Sequence, residues 1–124
     1  MAKRKSPELI RGDRVRPEPT RRGITRKMHV GPVTLYVTVN GNPPLEVFAK
    51  YDEGHQADAD GLAEMASLAL QYGCPPSVIV SHLRFRRYEP HGGPGQPCSI
   101  SDAIGRAVEA AGKVDTSPGK GTTA

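Results

Sequence analysis

Tryptophan is absent from this 124-residue chain, and aromatic side chains make up only 5% of it. Four tyrosines and two phenylalanines are too few for a large aromatic core, so the expected core is modest and mainly aliphatic. Cysteine is scarcer still. Cys74 and Cys98 are the only two and lie far apart, which excludes the disulfide framework of small secreted domains. No apolar run approaches the roughly 18 residues of a membrane span, and the Lys- and Arg-rich start lacks the apolar stretch of a signal peptide. A cytoplasmic protein with no membrane contact is the expectation.

Catalytic spacing is also missing. His29, His55, His82 and His91 are scattered, and no H-x-x-x-H or C-x-x-C pair marks a metal site. The glycines of 92–95 follow a helical segment and not a strand, so they match neither a P-loop nor a dinucleotide fingerprint. No nucleophile–base pair stands out. The chain reads as a binding or accessory module, with no catalytic residue, metal or cofactor of its own.

What is plentiful is charge, unevenly spread. Residues 1–27 carry ten basic and three acidic side chains, a net of +7, which leaves −3 for the rest of a chain whose total is +4. Residues 1–20 also hold Pro7, Pro17 and Pro19 and almost no large apolar groups, so a disordered basic arm is expected there. Residues 113–124 are small and polar and read as a disordered tail. One domain over 21–112 remains. A basic arm on a mildly acidic body suits an anionic partner such as nucleotide or nucleic acid, and equally suits a solvated tail.

Within the domain, Val33, Leu35, Val37 and Val39 alternate with Thr34, Tyr36 and Thr38, the period-two pattern of a strand. A second alternating run covers 45–50, after the turn chemistry of Asn40-Gly41-Asn42-Pro43-Pro44, and 24–30 supplies a third strand ended by Gly31-Pro32. Helices follow. The first spans 58–72 with Leu62, Met65, Ala66 and Ala69 on its apolar face. The second spans 76–86 behind Pro75-Pro76 and buries Val78, Ile79 and Leu83. The third spans 100–112, opened by Ser99 with Asp102 as an approximate capping box, and buries Ile100, Ala103, Ile104, Ala107 and Val108. Strands followed by helices argue an α+β fold, with an antiparallel sheet of about three strands and the three helices on one face.

Two constellations carry candidate chemistry. Thr25 and Lys27 share a face of the first strand beside Gly23, and Asn40 ends the next strand, so hydroxyl, ammonium and amide can converge on an anion or nucleotide. The competing reading is an edge strand whose lysine discourages sheet-to-sheet pairing. Arg84, Arg86, Arg87 and Tyr88 form a basic patch with an aromatic beside it, suited to phosphate or single strands. Cations in a last helical turn also serve the helix dipole.

Gly23-x-Thr25-x-Lys27, then Leu35-Tyr36-Val37-Thr38-Val39-Asn40, Glu46-Val47-Phe48, Ser67-Leu68-Ala69-Leu70 with Gly73, Leu83-Arg84, and Ser99-Ile100-x-Asp102-Ala103-Ile104 occur in this order. The ordered set resembles the TSCPD domain, found at the C-terminus of adenosylcobalamin-dependent ribonucleotide reductases and in small free-standing proteins, phage ones among them. It covers about residues 20–111. Where the family often has cysteine and proline before its last aspartate, this chain has Ile100 and Ser101, with Cys98 two positions earlier. A frequent glycine after Leu-Arg is Phe85 here. The resemblance implies an accessory or regulatory part in deoxyribonucleotide supply for DNA synthesis. Adenosylcobalamin would enter only through a partner reductase, since the catalytic barrel needs several hundred residues. The partner would be a reductase subunit or a second copy of the chain. The alternative is a small basic nucleic-acid-binding protein using the arm and the Arg84–Tyr88 patch.

Overall fold

A computed structural model describes residues 12–51 and 56–113. Its architecture is α+β. Strands β1 (Gly23–Val30), β2 (Val33–Asn40) and β3 (Glu46–Tyr51) precede helices α1 (Gln56–Gln71), α2 (Pro76–Leu83) and α3 (Ile100–Ala111). The strands form one antiparallel sheet in the order β1-β2-β3. Thr25 faces Thr38 and Lys27 faces Tyr36 across β1–β2, while Thr38 faces Phe48 and Tyr36 faces Lys50 across β2–β3. Gly31 makes the tight β1–β2 turn at φ 65°, a left-handed conformation that glycine adopts without a Cβ penalty.

Because side chains alternate, one sheet face collects Leu35, Val37, Val39, Val47, Ala49 and Tyr51, all buried. On this face α1 packs along β3, and α3 crosses β1 and β2. The fully buried Val30, Leu35, Ile104 and Val108 sit at the centre of the core. Helix α3 is the most buried, and all five of its predicted core positions are covered.

The other two helices depart from expectation at one position each. Met65 is 65% exposed, while of the other expected positions Ala66 is buried and Leu62 and Ala69 pack partly buried against the core, beside Ala59, Ala63 and Leu70. The small alanines let the helix approach the strand closely, which the longer methionine would prevent. Val78 on α2 is also exposed, leaving Ile79 as that helix's buried residue. Helix α2 ends at Leu83, three residues before the expected Arg86. Arg84 is extended at ψ 147° and Phe85 turns to φ 66°, so the last-turn role foreseen for Arg84 and Arg86 does not arise.

Side chains close the outer edge of β3. The Ser67 hydroxyl accepts from Val47 N–H at 2.8 Å and lies within donating distance of the Val47 carbonyl at 3.0 Å. Gln56 accepts from Tyr51 N–H and donates to the Ala49 carbonyl. Two α1 side chains thus take the place of a fourth strand.

Of the expected arm, residues 1–11 lie outside the described residues. Within 12–20, Arg14 Nε donates to Gln71 Oε1 at 2.6 Å and Val15 N–H donates to the Gln71 carbonyl at 2.8 Å. Residues 114–124 of the expected tail also lie outside the described residues.

Candidate functional site

The densest polar cluster lies where the segment between α2 and α3 meets the N-terminus of α3. Ser99 caps that helix, its hydroxyl accepting from Asp102 N–H at 2.9 Å. The Asp102 carboxylate does not return to Ser99. One oxygen accepts from Arg84 Nε at 3.1 Å and Phe85 N–H at 2.9 Å, and the other from Cys98 N–H at 3.1 Å and Arg106 Nε at 3.2 Å. Asp102 is 1% exposed. Burial opposes its ionisation, but the N–H groups of Phe85 and Cys98, the Arg84 hydrogen bond and the Arg106 charge outweigh that. They hold its carboxyl below the usual carboxylate range.

This carboxylate is saturated, so its role is to tie chain together and not to exchange protons. Arg84 also pairs with Glu109, and Arg106 reaches the carbonyls of Gly95 and Gln96 at 3.2 Å. Ser101 donates to the Leu83 carbonyl at 2.9 Å, and Ser99 donates to the Arg86 carbonyl. The Cys98 thiol points at that same carbonyl at 3.3 Å. Burial and the Asp102 charge push this thiol up from its ordinary value, so it stays protonated at neutral pH and is a poor nucleophile.

The tethered segment borders a cleft of about 600 Å³ between the start of α1 and the end of α2, lined by Asp58, Leu62, His82, Arg86, Tyr88 and Ser101 among others. Arg84, Arg86, Arg87 and Tyr88, the basic patch read from sequence, line one shallow hollow with Ser81 and Phe85, although their side chains have different partners. Arg84 is turned inward to Asp102 and Glu109, under the Phe85 ring at 4.2 Å. Arg86 and Tyr88 face the cleft, and Arg87 lies outside it, beside the 91–98 loop.

The other constellation spreads along the face of the sheet away from the helices. Gly23 sits against Asn40, so close that a Cβ on residue 23 would fall 1.9 Å from Asn40 Oδ1. Asn40 Nδ2 donates to Glu46 Oε1 at 2.9 Å, and Arg21 Nε pairs with that same oxygen at 2.9 Å. Thr25 Oγ1 is 2.7 Å from Thr38 Oγ1, and the Lys27 ammonium stands 6.0 Å from the Tyr36 ring centre. Gly23 and Asn40 meet, while Thr25 and Lys27 occupy the next two rows, each beside its own cross-strand neighbour.

Sequence reasoning missed Gln56, Ser67 and Arg106. Ser67 meets the Val47 backbone 20 residues away, for which no local signal exists, whereas Arg106 pairs with Asp102 at i,i+4, a spacing that the sequence displays. Among the described residues no three His, Cys, Asp or Glu side chains gather closely enough to hold a metal ion. No described helix is long and apolar enough to cross a membrane.

An antiparallel sheet with helices on one face, and a saturated aspartate at the last helix's start, define a small α+β domain. A model of the TSCPD domain matches residues 5–112, so the chain belongs to the TSCPD domain family, which is associated with ribonucleotide reductases. No curated protein and no solved structure matches it. Ile100 and Ser101, just before Asp102, are both buried.

Proposed function

We propose that the chain is an accessory module in deoxyribonucleotide supply, acting with a ribonucleotide reductase by binding a nucleoside phosphate in the cleft beside Arg86 and Tyr88. The family supports the reductase link. The observation that carries the ligand is the anchoring of 84–99: Asp102, Ser99 and Ser101 fix its backbone, which presents one guanidinium and one phenol ring to a cleft sized for a small molecule. Arg86 Nε donates to the His82 carbonyl at 2.8 Å, which orients the guanidinium and leaves its terminal nitrogens to meet a phosphate. Tyr88 offers a flat face to a base. Asp58 and Glu89 also line the cleft and repel anions, so the phosphate end belongs at Arg86.

Calorimetric titration with ribo- and deoxynucleoside triphosphates tests this. Saturable binding should weaken about tenfold or more in Arg86→Ala, the loss of one charge-assisted hydrogen-bond partner. No heat from the wild-type chain would remove the nucleotide ligand from the reading.

A further inference from the structure

The outer face of the sheet carries an arrangement that the cleft does not use. Its rows are read directly from the strand register. Lys27, Tyr36 and Lys50 stand side by side across the three strands, and Thr25, Thr38 and Phe48 form the adjacent row. Tyr36 is 39% and Phe48 56% exposed, and no described helix covers them. The rings are diagonal neighbours on adjacent strands, about 7–8 Å apart by sheet geometry. They form one aromatic platform.

The charge on this platform has one sign. Lys27 and Lys50 flank Tyr36 from the two edge strands, roughly 10 Å apart at two strand spacings. His29 continues the face on β1, and Arg22 leads into its other end. Among the described residues the face has a single carboxylate, Glu46, which is buried and neutralised by Arg21. Two lysines beside an exposed tyrosine repel each other mildly, and an anion between them removes that repulsion. A second copy docked face to face would bring four lysines together, so charge disfavours self-association here. A duplex keeps its base faces stacked inside and offers nothing to Tyr36 or Phe48. A single strand offers both phosphates and free base faces.

We infer that the sheet face bearing Tyr36, Phe48, Lys27 and Lys50 binds single-stranded nucleic acid, with bases stacked on the two rings and phosphates held by the lysines. Thr25 and Thr38, hydrogen-bonded to each other between these groups, keep the surface flat enough for the strand to lie across it. The site is separate from the cleft, which lies among the helices beyond the sheet.

Fluorescence anisotropy of the full chain with labelled dT12, U12 and a 12-base-pair duplex tests the inference and separates DNA from RNA. Either single strand should bind more tightly than the duplex at equal salt. The Tyr36→Ala/Phe48→Ala double variant should lose about tenfold or more in affinity, and Tyr36→Phe/Phe48→Tyr should keep it, because either ring stacks. Lys27→Ala/Lys50→Ala should flatten the logarithmic salt dependence by about 1.4, the expected change for two phosphate contacts on a single strand. All four positions are exposed, and circular dichroism of each variant checks that it is folded. Equal affinity of wild type and the alanine double variant would overturn the proposal. So would preference for the duplex, or a free chain in which Tyr36 and Phe48 are protected from hydroxyl-radical oxidation by a second copy or by the chain's own N-terminal segment.

Discussion

The Ser67 hydroxyl sits 2.8 Å from the Val47 amide nitrogen and 3.0 Å from the Val47 carbonyl oxygen, so one helix side chain serves both outward backbone groups of an edge-strand residue. The same hydroxyl lies 2.9 Å from the Ala63 carbonyl, which holds it against its own helix. Sheet edge and helix are thereby joined at a point where apolar packing alone would leave a donor and an acceptor unpaired.

Ser67→Ala should cost about 1–2 kcal/mol, since it strands a part-buried N–H and carbonyl together. Urea unfolding measures the cost, and hydrogen exchange localises it. The Val47 amide should exchange faster while the β1–β2 amides keep their order of protection. Unchanged exchange at Val47 would show that the clamp is not closed in solution.

Asp102→Asn should destabilise the fold by about 3 kcal/mol. The amide keeps the shape, but its NH2 cannot accept from two of the four donors, and two arginines lose a buried counter-charge. Arg84→Lys should cost less, because an ammonium can still reach one carboxylate, though not both Asp102 and Glu109 in the same geometry. Denaturant midpoints order the two variants.

The pH dependence follows from the same carboxylate. Its folded-state value is lowered, so it contributes stability fully above its unfolded value, roughly pH 4. That stability is lost as pH falls through the lowered folded value. Wild-type stability should therefore drop from about pH 4 downward, and Asp102→Asn should show a shallower drop. Parallel acid-unfolding curves would contradict this.

Gly23→Ala should cost about 1–2 kcal/mol although alanine is the better residue in most strands. Its methyl group would lie 1.9 Å from Asn40 Oδ1 and 2.6 Å from the Val39 carbonyl, so the backbone must shift or Asn40 must swing away from Glu46. Thermal denaturation gives the size. An Arg21→Ala variant removes the ion-pair partner of the buried Glu46 and should also destabilise the fold, since only the Asn40 amide then faces that carboxylate.

The purified chain, given ribonucleotide, adenosylcobalamin and dithiol, should form no deoxyribonucleotide above a no-protein control. Cys98 is held as a thiol by its surroundings, and the described residues assemble no nucleophile–base pair around it. Turnover that co-purifies with the chain would replace the accessory reading with an enzymatic one.

Several elements could be read directly from the sequence because the forces that make them are local. Alternation in 33–39 specifies a strand with one buried face, since successive side chains point to opposite sides whatever the surroundings. Gly31-Pro32 and Asn40-Gly41 place the reversals, and Ser99 announces α3 by capping it. The ordered motifs were enough to identify the family.

Tertiary structure alone decided which stripe of α1 is buried and where Arg84 points. Met65 and Ala63 are both apolar, and only the short distance to β3 selects the alanine. Arg84 and Arg86 are alike in sequence, two positions apart. The Phe85 backbone reverses between them, sending one guanidinium to a buried carboxylate and leaving the other in an open cleft. The donors to Asp102 come from residues 84, 85, 98 and 106. Cys98 and Arg106 are four residues from Asp102, but Arg84 and Phe85 are 18 and 17 away, and that half of the site has no pattern of its own in the sequence. It comes into being only when packing of the helices brings those groups within hydrogen-bonding distance and excludes the water that would otherwise compete for them.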